Sequence, residues 1–254
     1  MRTAKERKEV ARVEFYRAAR TAARETLQSP LDLPCAHAPT MIRRHFVLAL
    51  LAAAAFTFGL DRHARADPAA PVLLVVGDSI SAAYGLPAGA GWVDLLAARL
   101  AAQRFPQRVV NASITGDTTA GGRARLPALL ARHQPAIVVL ELGGNDALRG
   151  GNLASTRDNL AAMVAAVQRT GAKALIIGMK VPPNYGPTYV REFDALFAGV
   201  AKAHKVPLVP FFFEGFGEKN EMFQADRIHP TAAAQPLLLD NVWPLLRPML
   251  GIPR

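Results

Sequence analysis

Residues 72–81 read VLLVVGDSIS, an apolar run that stops at a glycine and gives way at once to polar residues. Short continuous runs of this kind, rich in β-branched residues, are typical of buried strands. Four similar runs follow, which gives five predicted strands: Val72–Val76, Val109–Ala112, Ala136–Leu140, Ala174–Ile177 and Leu208–Phe212. Because the runs are continuous rather than alternating, they favour a parallel sheet covered on both faces.

Amphipathic segments separate these strands and would supply the covering helices. The predicted helices are Trp92–Arg104, Gly122–His133, Leu153–Arg169, Thr188–His204 and a last one from Pro230 to about Met249. Five strand–helix units without an internal linker predict one three-layer α/β/α domain over residues 67–254. The aromatic stretch Phe211–Phe213, with Phe216 and Phe223 nearby, is equally consistent with core and with an apolar wall for a ligand.

The basic character of the chain is concentrated near its N-terminal end. The full chain of 254 residues has a formal net charge of +10, which favours a nucleic acid or an anionic membrane as partner. Residues 67–254, however, hold 18 Lys and Arg against 14 Asp and Glu and contain no basic run. We therefore expect no nucleic-acid partner for the domain, while transient contact with a membrane surface stays open.

Residues 41–66 have the layout of a secretory signal peptide. Met41 is followed by the basic pair Arg43-Arg44, an apolar stretch of about 15 residues, and Ala64-Arg65-Ala66. A membrane-spanning helix needs roughly 20 apolar residues, so we expect cleavage after Ala66 and a periplasmic or secreted protein. The single cysteine, Cys35, precedes this position, which leaves the mature domain without a disulfide or a thiolate metal ligand.

Residues 1–40 are unusual because a signal peptide rarely has so long a segment before it. We interpret Met41 as the true start and residues 1–40 as a non-native or disordered extension. The alternative is a genuine basic extension that keeps the protein at a membrane surface.

Polar, mostly glycine-bearing turns follow four of the predicted strands. They are Gly77-Asp78-Ser79, Gly116-Asp117-Thr118, Gly143-Gly144-Asn145 and, past the fifth strand, Asp226-Arg227-Ile228-His229. Each turn taken singly can be explained as a helix cap or a tight turn. Because the carboxyl ends of parallel strands meet at one edge of a sheet, their joint occurrence predicts a functional site at that edge.

The residue types at this edge suit acyl transfer. The Ser79 hydroxyl is a poor nucleophile until an imidazole such as His229 accepts its proton, and a carboxylate such as Asp226 can orient that imidazole. The backbone N–H groups of Ser79 and Gly116, together with the side-chain amide of Asn145, would meet the developing oxyanion.

These four blocks resemble, in order and spacing, the conserved blocks of the SGNH (GDSL) hydrolases. The likeness covers residues 71–249 and is greatest to the bacterial periplasmic thioesterase I, arylesterase and lysophospholipase group. It implies a flavodoxin-like sandwich with strand order 2-1-3-4-5, the same roles for the five residues above, and substrate contacts. The implied contact residues are Ala147, Leu148, Arg149, Pro183 and Tyr185. The chain departs from the family pattern at Ile80, where Leu is usual, and at Arg227, where Gly is usual.

The leading hypothesis is therefore a monomeric serine hydrolase without cofactor or metal, acting on acyl esters and thioesters of lipid-like substrates such as lysophospholipids. A carbohydrate O-acetyl esterase of the same fold is the first alternative. A non-catalytic α/β module that binds a nucleotide or flavin is the second.

Overall fold

The opening apolar run forms a fully buried strand inside a five-stranded sheet. The structure, a computed structural model, describes residues 70–253, which belong to one compact unit, Ala66–Arg254. The predicted signal peptide (41–66) and the extension before it (1–40) lie outside the described residues. Strand β1, Val72–Gly77, has all six residues buried, as a strand covered on both faces requires.

All neighbouring strands pair in parallel, in the order β2-β1-β3-β4-β5, which confirms the predicted topology. The other strands are β2 (Arg108–Asn111), β3 (Ile137–Glu141), β4 (Lys173–Ile177) and β5 (Leu208–Val209). Gly77, the last residue of β1, lies in register with Glu141, the last residue of β3. The two strands therefore end side by side.

Within residues 70–253, six α-helices surround the sheet in two groups. They are α1 (Trp92–Ala102), α2 (Thr119–His133), α3 (Gly144–Leu148), α4 (Leu153–Arg169), α5 (Pro187–His204) and α6 (Gln235–Leu246). Helix α1 packs with α6, while α2, α4 and α5 pack side by side. The predicted three-layer α/β/α architecture is thereby confirmed.

Local sequence explains where the long helices begin and end. The Thr118 hydroxyl accepts a hydrogen bond from the N–H of Gly121 at the start of α2, and Asn152 caps α4 by accepting from the N–H of Ser155. Pro187 occupies the first position of α5, where its missing N–H is not needed. Gln134 ends α2 in a left-handed conformation.

Three elements differ most from the sequence-based expectation, and the others shift by at most three residues at their ends. Strand β5 has two residues instead of five, because Pro210 has no N–H to donate to the ladder and the chain turns away after it. The last helix begins at Gln235 rather than Pro230. Helix α3 was not predicted, since five residues are too few to show a helical period.

The aromatic stretch after β5 belongs mainly to the core. Phe212 and Phe216 are fully buried, and Phe213 contacts both of them and Phe223. Packing against the sheet therefore accounts for most of its apolar surface.

The two ends of the described chain lie at the same edge of the sheet, where the strands begin. Pro71 accepts a hydrogen bond from the N–H of Arg108, the first residue of β2. The carbonyl of Leu250 accepts from the Gln107 side chain, and that of Met249 accepts from Lys173 at the start of β4. No helix within residues 70–253 combines the length and apolar character needed to cross a membrane.

Candidate active site

The turn after β1 holds Ser79 at the carboxyl edge of the sheet. Asp78 braces this turn, because its Oδ1 accepts a hydrogen bond of 3.0 Å from the N–H of Ile80. The carbonyl of Ser79 in turn accepts from the N–H of Tyr84 at 3.0 Å. Ser79 is only 7% exposed, so little of the residue meets solvent.

The structure brings Ser79, His229 and Asp226 together in one hydrogen-bonded series. The Nε2 atom of His229 lies 2.9 Å from Ser79 Oγ, although the two residues are 150 positions apart in the sequence. On the other side of the ring, Nδ1 lies 2.6 Å from Asp226 Oδ2. This is the order of contacts in which an imidazole can take a proton from a serine while a carboxylate fixes its tautomer.

The segment that carries Asp226 and His229 is closed by its own backbone bonds. The N–H of Gln224 donates to the carbonyl of His229 at 2.8 Å, and the Asp226 Oδ1 atom accepts from the N–H groups of Ile228 and His229. Arg227 has a φ of +58°, in the left-handed region that favours glycine. This backbone conformation accounts for the glycine that is usual at this position in the family.

Asp226 is held in its ionised form by these same contacts. The hydrogen bond from the His229 N–H, followed by those from the His229 ring and the Ile228 N–H, lowers the pKa of Asp226 to about 2. Its side chain is 38% exposed, so hydrogen bonding rather than burial sets its charge state. The carboxylate is therefore available to orient the imidazole throughout the physiological pH range.

Gly116 and Asn145 lie on the two turns that flank Ser79. Gly116 has a φ of +76°, which a residue with a Cβ adopts only under strain. The backbone N–H groups of Ser79 and Gly116 donate to no protein acceptor anywhere in residues 70–253. Two such unengaged donors on neighbouring turns can stabilise an oxyanion.

Asn145 differs from the simplest expectation, because its amide already has partners. It lies in the first turn of α3, and its Nδ2 atom donates to Asp78 Oδ2 and to the carbonyl of Asp117, each at 3.0 Å. These two acceptors account for both hydrogens of the amide. Asn145 thus ties the first turn to the second, and a substrate oxygen would have to share one of these hydrogens.

The residues expected to contact substrate surround the same edge but differ in exposure. Ala147 is fully buried, whereas Leu148 is 43% exposed and Arg149 and Pro183 are also exposed. The Arg149 guanidinium donates to the carbonyl of Gly116 at 2.9 Å. The Tyr185 hydroxyl donates to the carbonyl of Leu148 at 3.4 Å, so these two loops touch each other.

Two residues at the site were not identified from the sequence. The ring of Tyr84 lies against the His229 imidazole, with a centroid separation of 4.5 Å. Arg125, which reads as an ordinary charge on an amphipathic helix, donates to Asp117 Oδ2 at 2.7 Å and to the carbonyls of Ala112 and Gly77. It therefore braces the turn that contains Gly116. Nothing in the periodicity of its helix distinguishes it from a solvated arginine.

Two further carboxyl groups are buried beside the Ser79 turn. Burial raises the pKa of Asp78 to about 6, even though the hydrogen bond from Ile80 opposes the rise. Burial also raises the pKa of Glu141 well above its usual range, and the neighbouring Asp78 adds to the effect. The sequence signal that could identify Glu141 is a carboxyl group at the end of an apolar strand. Residues 70–253 contain no cluster of His, Cys, Asp and Glu that could hold a metal ion.

Comparison with known proteins identifies the family. The sequence pattern that defines the GDSL-like lipase/acylhydrolase family matches residues 75–236. The esterase TesA of Pseudomonas aeruginosa is 58% identical over 182 residues, covering 72% of this chain and 90% of the relative. The thioesterase 1/protease 1/lysophospholipase L1 of Escherichia coli K12 is 43% identical over 183 residues, covering 72% and 86%.

A solved structure gives the same result at the level of the fold. The crystal structure of TesA superimposes with a TM-score of 0.69 at 58% sequence identity, and the match covers 70% of this chain and 99% of that one. Sequence pattern, relatives and fold agree, and this chain belongs to the GDSL-like lipase/acylhydrolase family.

Proposed function

We propose that this protein hydrolyses carboxylic esters and thioesters of lipid-like substrates through an acyl-enzyme formed on Ser79. The observation that carries the proposal is the continuous contact series from Ser79 Oγ through His229 to Asp226 Oδ2. The family acts on small-molecule esters, and the relatives described above include an esterase and a thioesterase/lysophospholipase.

In the first half of the reaction, Ser79 Oγ bonds to the acyl carbon while its proton passes to His229 Nε2. The carbonyl π electrons move to the oxygen, which becomes an oxyanion facing the N–H groups of Ser79 and Gly116. The tetrahedral intermediate then collapses, the bond to the alcohol or thiol breaks, and the leaving group takes the proton from His229. Asp226 stays ionised and holds the Nδ1 hydrogen throughout.

In the second half, water takes the place of the leaving group. His229 removes a proton from the water molecule as its oxygen attacks the acyl carbon, and the second intermediate faces the same two N–H groups. When it collapses, Ser79 Oγ recovers its proton from His229 and the carboxylic acid leaves. One donor of the oxyanion hole is worth roughly 3 kcal/mol in reactions of this class.

The exposed apolar residues near Ser79 support an acyl chain as part of the substrate. Leu148 and Tyr84 are both more than two-fifths exposed, and each lies next to a residue of the proposed site. Arg149 offers a cation beside Gly116 that would suit a substrate with an anionic group.

We further propose that the protein is exported, that it acts as a monomer, and that its contact with a membrane surface is transient. The signal-peptide layout of residues 41–66 supports export. Every group of the proposed catalytic series comes from one chain, which supports a monomer.

The first prediction concerns the nucleophile. We expect Ser79→Ala to lower kcat for a nitrophenyl ester by at least ~10³-fold, because it removes the hydroxyl that contacts His229 Nε2. Ser155→Ala, which removes an exposed serine hydroxyl from α4, is the matched control and should keep wild-type rates. Equal turnover by the wild type and Ser79→Ala would contradict the assignment and favour a non-catalytic module.

The second prediction follows from the lowered pKa of Asp226. Because folding lowers this pKa from 3.8 to about 2, the ionised carboxylate stabilises the fold above about pH 4. That stabilisation is lost as the pH falls towards about 2. We expect the free energy of unfolding of Asp226→Asn to fall less steeply across this window than that of the wild type, as measured by urea unfolding.

Asp158→Asn serves as the control for this measurement, because Asp158 is an exposed carboxylate on α4, and it should keep the wild-type slope. At neutral pH, Asp226→Asn should also lower kcat by roughly 10⁴-fold through the wrong imidazole tautomer. Identical slopes for the wild type and Asp226→Asn would show that the carboxylate is not held as described.

The third prediction distinguishes a lipid-like substrate from an acetylated carbohydrate. We expect kcat/KM for nitrophenyl esters and thioesters to rise from acetyl to octanoyl, since longer chains bury more apolar surface. Leu148→Ser should lower kcat/KM for the octanoyl ester more than for the acetyl ester. Leu237→Ser, on the surface of α6, should change neither value. A preference for acetyl esters would support the carbohydrate O-acetyl esterase instead.

The fourth prediction concerns export. We expect protein recovered from the periplasm or the medium to begin at Asp67, as determined by intact mass. A chain that starts at Met41 is the matched control and should yield the same mature protein. A mature protein that begins at or before Ala4 would show that residues 1–40 are retained and that Met41 is not the start.

A further inference from the structure

Glu141 is a buried carboxyl group for which the proposed reaction has no use. It ends strand β3, is 3% exposed, and pairs in register with Gly77 at the end of β1. A Cβ atom added to Gly77 would lie 2.7 Å from Glu141 Oε2, so the carboxyl group fits against bare backbone. From there it reaches into the turn that begins at Asp78.

The contacts of this carboxyl group all go to the turn that carries Ser79. The Oε2 atom accepts a hydrogen bond of 2.7 Å from the Ser81 hydroxyl and a longer one of 3.3 Å from the Asp78 N–H. Asp78 and Ser81 stand on either side of Ser79 in the sequence. One carboxyl oxygen therefore holds both ends of the segment that contains the nucleophile.

A third residue fixes the direction of these hydrogen bonds. The indole Nε1 of Trp92, which is fully buried, lies 3.1 Å from Ser81 Oγ. An indole N–H can only donate, so Ser81 Oγ accepts from it and directs its own hydrogen to Glu141. The order Trp92 to Ser81 to Glu141 leaves the serine hydroxyl a single orientation.

We propose that Glu141 is a positioning residue for the reaction. Through Ser81 and the Asp78 N–H, it fixes the turn that aims the Ser79 hydroxyl and the Ser79 N–H at the acyl group. This inference rests on the proposed function of Ser79. Preorganised donors lower the barrier because they need not reorient when the oxyanion forms, so loosening the turn reduces the rate more than substrate binding.

The charge state of Glu141 suits this role. Burial, with a further effect of the neighbouring Asp78, raises the pKa of its carboxyl group well above the usual range and so favours the neutral form. A neutral acid can accept both hydrogen bonds without placing a negative charge beneath the N–H of Ser79, where it would oppose the oxyanion. An amide in the same place would accept the same bonds, and this allows a sharp test.

The experiment compares Glu141→Gln and Glu141→Ala with the wild type. We measure kcat and KM for a nitrophenyl ester, the rate at which a fluorophosphonate modifies Ser79, and the melting temperature. Glu141→Ala should lower kcat and the modification rate by at least ~tenfold, with KM within about twofold, because a misplaced reacting group costs rate. Glu141→Gln should restore most of the loss. Glu192→Ala, an exposed carboxylate on α5, is the matched control and should behave as the wild type.

A second variant covers the case in which Glu141→Ala does not fold. Ser81→Ala removes the hydroxyl that joins the carboxyl group to the turn and leaves Glu141 in place, with Ser155→Ala as its control. It should slow the fluorophosphonate reaction at least ~threefold without a matching change in KM.

Three results would overturn the role of Glu141. The first is a folded Glu141→Ala with wild-type kcat and modification rate, and the second is a Ser81→Ala protein with wild-type rates. The third is a Glu141→Gln variant as slow as Glu141→Ala, which would mean that an ionisable group is required. If the wild type itself is not modified at Ser79, the proposed function fails, and that result differs from all three.

Discussion

Strand β1 pairs in parallel with β2 on one side and with β3 on the other, and the arrangement of the site follows from this double pairing. A strand with two parallel neighbours and helices on both faces has no exposed surface, which explains why Val72–Gly77 is apolar throughout. Its polar groups can begin only where the ladder ends. Because β1 and β3 end in register, the turns bearing Ser79 and Asn145 lie side by side, and the turn with Gly116 follows from β2.

Three carboxyl groups near Ser79 have pKa values shifted in opposite directions, because their environments differ. Asp226 is partly exposed, accepts several hydrogen bonds and is ionised, so it can stabilise an imidazolium. Asp78 and Glu141 are buried, and burial raises the pKa of both, to about 6 for Asp78. The ionised Asp226 thus lies on the far side of the His229 ring from Ser79 Oγ, while burial opposes ionisation of the two carboxyl groups beside the Ser79 turn. Such a separation suits a reaction in which negative charge develops on the substrate.

The sequence was sufficient to predict the sheet, its strand order, the three-layer packing and the meeting of Ser79, His229 and Asp226. These features depend on long apolar runs and on the rule that functional groups gather at the carboxyl ends of parallel strands. They can therefore be predicted from the sequence alone. Features that depend on individual contacts could not be predicted from the sequence. Helix α3 and the two-residue strand β5 are too short to have a period, and the Ser81–Glu141 contact joins residues 60 positions apart. The double engagement of the Asn145 amide likewise requires the positions of two acceptors that no spacing reveals.

The two ends of the described domain leave from the edge of the sheet where the strands begin, beside Gln107 and Lys173. Ser79 lies at the other edge, so the sheet itself separates the chain ends from the reacting groups. A solid support, a reporter domain or an affinity tag joined near residue 70 or residue 250 would therefore stand behind the enzyme, with the mouth of the site turned toward bulk solution. Immobilisation through either end of the described domain should leave substrate access unobstructed, whereas random coupling through surface amines has no such orientation.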